Sequence, residues 1–193
     1  LMILMQRLVV SSTRAIKTTL DRRINALAAP EEQLTLFPVS SEEDWEDLDG
    51  QEQVEAILNT RFKALKNERS EVKLLLEKAA LCEQAGADVK AEILLDWIYR
   101  LQAQEGDPEL KVIIFTEFIP TQDMLKQFLT DRGFSVTCLN GTMGMDERKR
   151  VQENFAGKTR ILISTDAGGE GLNLQFCHVV FNYDIPWNPM RLE

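Results

Sequence analysis

The sequence predicts an α/β fold: a parallel sheet with helices on both faces, preceded by a helical region. Two observations carry that prediction. Short apolar, β-branched runs such as Val112-Ile-Ile-Phe115 and Ile161-Leu-Ile163 suit strands buried on both faces. Between the runs lie amphipathic stretches that end near glycine, and strands alternating with helices of about 10–12 residues argue for parallel pairing.

Taken in order, residues 1–30 read as a helical segment. Ser12 is a candidate N-cap, and Ile16, Leu20, Ile24 and Leu27 recur on one face. Thr13, Arg14, Lys17, Arg22 and Arg23 make an opposite, basic face, read as solvated. Pro30 ends the segment. Residues 31–50 are dense in like charge and weakly periodic, which predicts a mobile acidic linker or insertion. Residues 51–86 form a helical bracing element. It has one stripe of Val54, Ile57, Leu58, Phe62 and Leu65, and a second of Val72, Leu75, Leu76 and Ala79.

Residues 87–193 hold the α/β lobe. Asp88 caps a helix whose Val89, Ile93, Leu94, Trp97, Ile98 and Leu101 are expected to face inward, and Gly106-Asp-Pro108 breaks it. Strands then follow at 111–116, 134–139, 160–164 and 179–183, with helices at 121–131 and 145–155. A short helix is expected after Ala167. Strand 160–164 runs into Ser164-Thr165-Asp166 and a turn with Gly168, Gly169 and Gly171. Ligands of open parallel sheets sit beyond the carboxyl ends of the strands, where glycines let the backbone come close.

Composition bounds the function. A hydrophobic content of 44% is ample for a core. The formal net charge of −9 is local, because residues 31–60 hold ten acidic residues and no Lys or Arg. Outside them, 21 of the 31 acidic residues face 22 basic ones, so a nucleic-acid groove is not excluded. Cys82, Cys138 and Cys177 lack close spacing, and His178 is the one histidine, so no metal site is predicted. The cysteines read as small buried thiols of a reducing, intracellular compartment: cytoplasm, nucleoid or nucleus. No apolar run approaches a membrane span.

The motif around Thr165 resembles motif V of the superfamily 2 helicases and translocases, in the form found in Swi/Snf-type ATPases. Three more blocks appear in the family's order. Val112-Ile-Ile-Phe-Thr-Glu-Phe118 resembles motif IV. Asn140-Gly-Thr142, with Arg148 beyond it, resembles the next phosphate-contacting segment. Val179-Val-Phe-Asn-Tyr-Asp-Ile-Pro-Trp-Asn-Pro189 resembles the strand and turn that lead into motif VI. Four blocks in one order are far more specific than any one of them. The resemblance covers residues 86–193 and implies a second RecA-like lobe, truncated before motif VI. The chain is accordingly expected to be a piece of a longer protein.

The resemblance implies the motor lobe of an ATP-dependent nucleic-acid translocase or helicase, with ATP and Mg²⁺ held mainly by a first RecA-like lobe of the same parent. Thr116, Asn140, Gly141, Thr142, Arg148 and Thr165 would meet nucleic-acid phosphates without reading bases. Glu170, Gly171 and Asn173 would lie on the nucleotide side. Thr116 and Thr142 read equally well as turn-capping residues, and Arg148 as a solvated arginine. Asp184 is expected to fix the turn before motif VI by hydrogen bonding. DNA is the expected partner, with further protein partners open. Asp166, where many relatives carry Arg, leaves the type of nucleic acid open.

No complete catalytic site is legible. Gly157-Lys-Thr159 is not a P-loop: the pattern would need Gly at 152, which is Gln152, and the tripeptide lies between helix and strand rather than strand and helix. The isolated chain is therefore expected not to hydrolyse ATP. Two other classes stay open: a non-catalytic RecA-like domain that binds a protein or nucleic acid, and a nucleotide-binding regulatory α/β domain.

Overall fold

A computed structural model describes residues 2–28, 50–59, 68–165 and 177–185. Most of the acidic segment 31–50, the stretch after Ala167 and the Trp187-Asn-Pro turn lie outside the described residues. Within the described part the chain divides into two units, Leu1–Gly86 and Ala87–Glu193.

The first unit is helical: α1 (Met2–Ser11), α2 (Thr13–Ala28), α3 (Gly50–Asn59) and α4 (Glu68–Gln84). Gly50, read as the end of the linker, instead opens α3. Ser12 does cap α2, its hydroxyl accepting from the Ala15 N–H at 3.0 Å. α2 packs on α1, α3 and α4, so more than one of its faces is covered. Leu4, Leu8, Ala15, Leu20, Val54 and Leu58 are buried there.

This packing overturns the solvated basic face at Arg14, Lys17 and Arg23, while Arg22 stays exposed. Arg14 and Lys17 both donate to the Glu83 carboxylate of α4, and Arg22 lies 3.9 Å from Glu55. Arg23 is buried at 4% exposure. The charges on α2 serve helix pairing, because the acidic partners stand on the helices packed against it. Leu75, expected to face inward, is instead exposed, and so is Cys82.

The second unit is a four-stranded parallel sheet with strand order β2-β3-β1-β4. The strands are β1 (Val112–Phe115), β2 (Val136–Leu139), β3 (Ile161–Ser164) and β4 (Val179–Asn182). Helices α5 (Val89–Glu105) and α6 (Ile119–Thr130) contribute to the core on one face, where Leu94, Ile98, Leu125 and Leu129 meet Ile114 and Ile163. Helix α7 (Met145–Ala156) closes the other face, with Phe155 against Ile113 and Leu162. Successive strand residues point to opposite faces, and both faces here are apolar.

The helix ends follow the sequence signals. The Asp88 carboxylate accepts from the N–H groups of Lys90 (3.0 Å) and Ala91 (3.4 Å). Gly106 ends α5 at φ 66°, a left-handed conformation that costs an L side chain and not glycine. Pro120 sits in the first turn of α6, where its missing N–H loses no helical bond. One expectation for α5 fails. Val89, Ile93 and Trp97 are exposed, and the buried face runs instead through Ala91, Leu94 and Ile98. A helix lying on a sheet hides a narrow stripe, and α5 carries more apolar residues than one stripe holds.

The Glu83 pair sets a pH-dependent stability. The hydrogen bond from Lys17 is the chief cause holding this carboxyl below its ordinary 4.5, with Arg14 adding to it against the cost of burial. A depressed carboxyl stabilises the fold above its ordinary value, and that contribution disappears as pH falls through the lowered one. Glu83→Gln should therefore cost about 1 kcal/mol or less at neutral pH, since the pair is partly exposed. Urea denaturation followed by helical circular dichroism checks this. The difference between variant and parent should vanish in acid, and a difference persisting there would assign the loss to packing.

Candidate nucleic-acid interface

Register builds the site. Phe115 pairs with Ser164 and with Asn182, and Leu139 pairs with Ser164. The residues one step beyond form a row across the carboxyl edge of the sheet: Asn140, Thr165, Thr116, Tyr183. The ladder continues through them, with N–H to O bonds from Thr165 to Leu139 (3.0 Å), Thr116 to Ser164 (3.0 Å) and Tyr183 to Phe115 (2.8 Å). Neighbouring strands lie about 4.8 Å apart, so Asn140, Thr165 and Thr116 span roughly 10 Å. All three are buried at 9% exposure or less.

Much of the hydrogen-bonding capacity of this row is already used. The Thr116 hydroxyl donates to Asp184 Oδ2 at 2.6 Å, and the Glu117 N–H donates to the same oxygen at 3.1 Å. Lys90 Nζ donates to Asp184 Oδ1 at 2.8 Å and lies 4.0 Å from the centroid of the Tyr183 ring. The Tyr183 hydroxyl donates to Asp88 at 3.3 Å. Burial first, then the Asp88 and Asp184 charges, push the Tyr183 phenol far up, so it remains a donor. Asp184 thus fixes its turn, as the sequence suggested. Lys90 and Tyr183, neither of them a predicted site residue, tie that turn to the start of α5.

At the other end of the row, Asn140 donates from Nδ2 to Gln122 Oε1 (3.0 Å). Its Oδ1 accepts from the Thr142 N–H (3.2 Å) and the Thr142 hydroxyl (2.7 Å). Gln122 in turn donates from Nε2 to the carbonyls of Leu139 and Ile163, both at 2.9 Å. A lone polar residue on a helix reads as solvated, and no local pattern marks Gln122 as wholly buried, at 0% exposure.

Among the described residues, no hydrogen bond occupies the Gly141 N–H or the Thr165 hydroxyl. Gly141 and Thr142 are exposed. Arg148 lies half-buried in the first turn of α7, next to Lys149 and Arg150. The sequence-predicted residues Glu170, Gly171 and Asn173 fall outside the described residues.

Of the cysteines, Cys138 is buried, its thiol pushed up to about 11 chiefly by desolvation, and Cys177 is half-buried. Among the described residues no helix is long and apolar enough to cross a membrane.

An open parallel sheet with helices on both faces has the architecture of a RecA-like α/β lobe. Residues 89–193, more than half of the chain, match the helicase conserved C-terminal domain, and the chain belongs to that family. It is 51% identical over 83 residues to the uncharacterized ATP-dependent helicase YqhH of Bacillus subtilis, an alignment covering 43% of this chain and 15% of YqhH. It is 34% identical over 83 residues to the ATP-dependent DNA helicase DDM1 of Arabidopsis thaliana, covering 41% of this chain and 11% of DDM1. A relative with the name of an RNA helicase matches as well. Among solved structures, the Hef helicase domain of Pyrococcus furiosus shares the fold, with a TM-score of 0.50 and 22% identity over 66% of this chain and 26% of that one. The chain thus spans a small part of the length of such relatives.

The Asp184 cluster is testable by itself. Asp184 keeps only 8% of its side chain exposed and receives three donors. Asp184→Asn removes the charge opposite Lys90, and should destabilise the lobe by about 2–3 kcal/mol. Thr116→Val loses one charge-assisted bond and should cost about 1.5 kcal/mol or more. Chemical denaturation of the two variants measures both, and losses near zero would contradict this role for Asp184.

Proposed function

We propose that this chain is the second motor lobe of an ATP-dependent DNA translocase or helicase, and that the carboxyl edge of its sheet holds the phosphates of the nucleic acid. The observation that carries the reading is the row Asn140, Thr165, Thr116. Three residues expected at phosphates stand on three adjacent strands in register. Family membership supports the motor, and the name of the Arabidopsis relative supports DNA.

The site proposed here is narrower than the motif list. A hydroxyl whose proton is already given to a neighbour has no donor left for a phosphate oxygen. The protons of the Thr116 and Thr142 hydroxyls are spent on Asp184 and Asn140. The phosphate donors proposed are therefore the Thr165 hydroxyl and the Gly141 N–H, with Thr116, Asn140 and Thr142 shaping the edge. The cluster Arg148-Lys149-Arg150 supplies nearby positive charge. Residues 87–193 carry 16 acidic and 11 basic residues. Bulk attraction to DNA is thus absent, and binding by this lobe alone is weak and rests on local donors.

ATP and Mg²⁺ belong, on this reading, mainly to a first lobe, with Glu170, Gly171 and Asn173 contributing from this one. Phosphoryl transfer needs a phosphate cradle and a held Mg²⁺, and no P-loop is present in these 193 residues. The chain alone should release no phosphate from ATP above background, with or without DNA.

Fluorescence anisotropy with labelled duplexes tests the interface. DNA duplexes of unrelated sequence should bind alike, with affinity falling as salt rises. Thr165→Val should weaken binding about tenfold or more, the worth of one hydrogen bond to a charged group. Thr142→Val should have a smaller effect. Tighter binding of RNA duplexes would reassign the substrate. Wild-type affinity in Thr165→Val would remove Thr165 from the site, and the absence of any salt-sensitive binding would favour a protein-binding RecA-like domain.

A further inference from the structure

Gln122 sits in the first turn of α6 with no part of its surface exposed. Its carboxamide is engaged at both ends. Two N–H donors reach the carbonyls of Leu139, the last residue of β2, and Ile163, the next-to-last of β3, and its oxygen accepts from Asn140. The Leu139 carbonyl also receives the Thr165 N–H, and Asn140 holds both the N–H and the hydroxyl of Thr142. One side chain thus connects, through single hydrogen bonds, to both segments that flank the proposed phosphate donors, Gly141 and Thr165.

We propose that Gln122 is the positioning residue of the phosphate-binding edge. It holds the Asn140–Thr142 turn and the end of β3 in one arrangement, so that the Gly141 N–H and the Thr165 hydroxyl present to the same ligand. The proposal rests on the phosphate-binding reading of this edge. The chemistry is specific to a carboxamide. The two strand carbonyls demand two donors and the Asn140 amide demands an acceptor, a combination that neither a carboxylate nor an aliphatic side chain provides. A buried carboxamide must keep its partners, because an unmet buried polar group costs more than the bond it lost. That cost makes the arrangement rigid, and rigid donors bind without the entropy loss of ordering a loop.

Amide hydrogen exchange on the whole chain, without nucleic acid, is the first half of the test. Gln122→Leu should reduce protection of the Thr142 and Thr165 amides about tenfold, while the Ile113 and Ile114 amides within β1 stay as in the parent. Uniform loss across the strands, or unchanged protection at Thr142 and Thr165, overturns the proposal. Gln122→Glu keeps the shape but donates only when protonated, and burial raises the pH at which it ionises. Its Thr165 protection should return in part on acidification, when the carboxyl can donate to one strand carbonyl, and disappear as the carboxyl ionises. Thr142, held through an acceptor that the carboxylate keeps, should change little, and mere filling of space would not give that profile. This variant also keeps the test available should Gln122→Leu fail to fold.

Duplex affinity is the second half. Gln122→Leu should weaken binding by a factor similar to that of Thr165→Val. Exchange altered with affinity kept overturns a role toward phosphate. If the parent itself binds no duplex, the phosphate reading fails, and the exchange data still decide whether Gln122 holds the turn.

Discussion

A parallel ladder cannot end without leaving backbone groups to satisfy, and the second unit is arranged around how it does so. All four strands stop in register, so the residues after Leu139, Ser164, Phe115 and Asn182 arrive together at one edge. Buried carbonyls and N–H groups there need partners. Gln122 supplies them on the β2–β3 side and Asp184 on the β1–β4 side. The same register that builds the core therefore sets the spacing of the polar edge, and fold and site are one constraint.

The two halves of the edge differ in chemistry. Around Asp184 the network is ionic: a carboxylate meets an ammonium, a hydroxyl and a backbone N–H, with the Tyr183 ring under Lys90. Around Gln122 it is neutral, a chain of amides from strand carbonyls to the exposed turn at Gly141. A neutral network adds no fixed negative charge of its own, which suits an approaching phosphate. A fixed carboxylate at Asp184 would repel one. The proposed contact at Thr165 and Gly141 is consistent with that division.

The alternation of β-branched runs with amphipathic stretches was legible because both faces of the sheet are covered, which keeps the strands apolar throughout. The Asp88 cap was legible for a local reason, since it acts on backbone two and three residues on, whereas Asp184 was legible only from its place in a motif, its partners lying 67 to 94 residues away. Gln122 was not, since its partners lie 17 and 41 residues away in sequence. The basic residues of α2 misled for a similar reason, their acidic partner Glu83 standing 66 and 69 residues on. On α5, apolar residues at Val89, Ile93 and Trp97 follow helical spacing yet face outward, because periodicity gives a stripe without saying which of two adjacent stripes is covered. On the proposed reading, Thr116 and Thr142 shape the edge rather than meet phosphate, and a hydroxyl in a motif does not reveal where its proton is spent.

The central claim is that the phosphate-facing donors are Thr165 and Gly141, while Thr116 and Asn140 keep their internal bonds. A nuclear magnetic resonance titration of the isotopically labelled chain with a short DNA duplex tests it directly. The account predicts the largest shifts at the Gly141 amide and at Thr165, with the Asn140 and Gln122 side-chain amide signals retained throughout. Shifts centred on α5, with Gly141 and Thr165 unmoved, would contradict it.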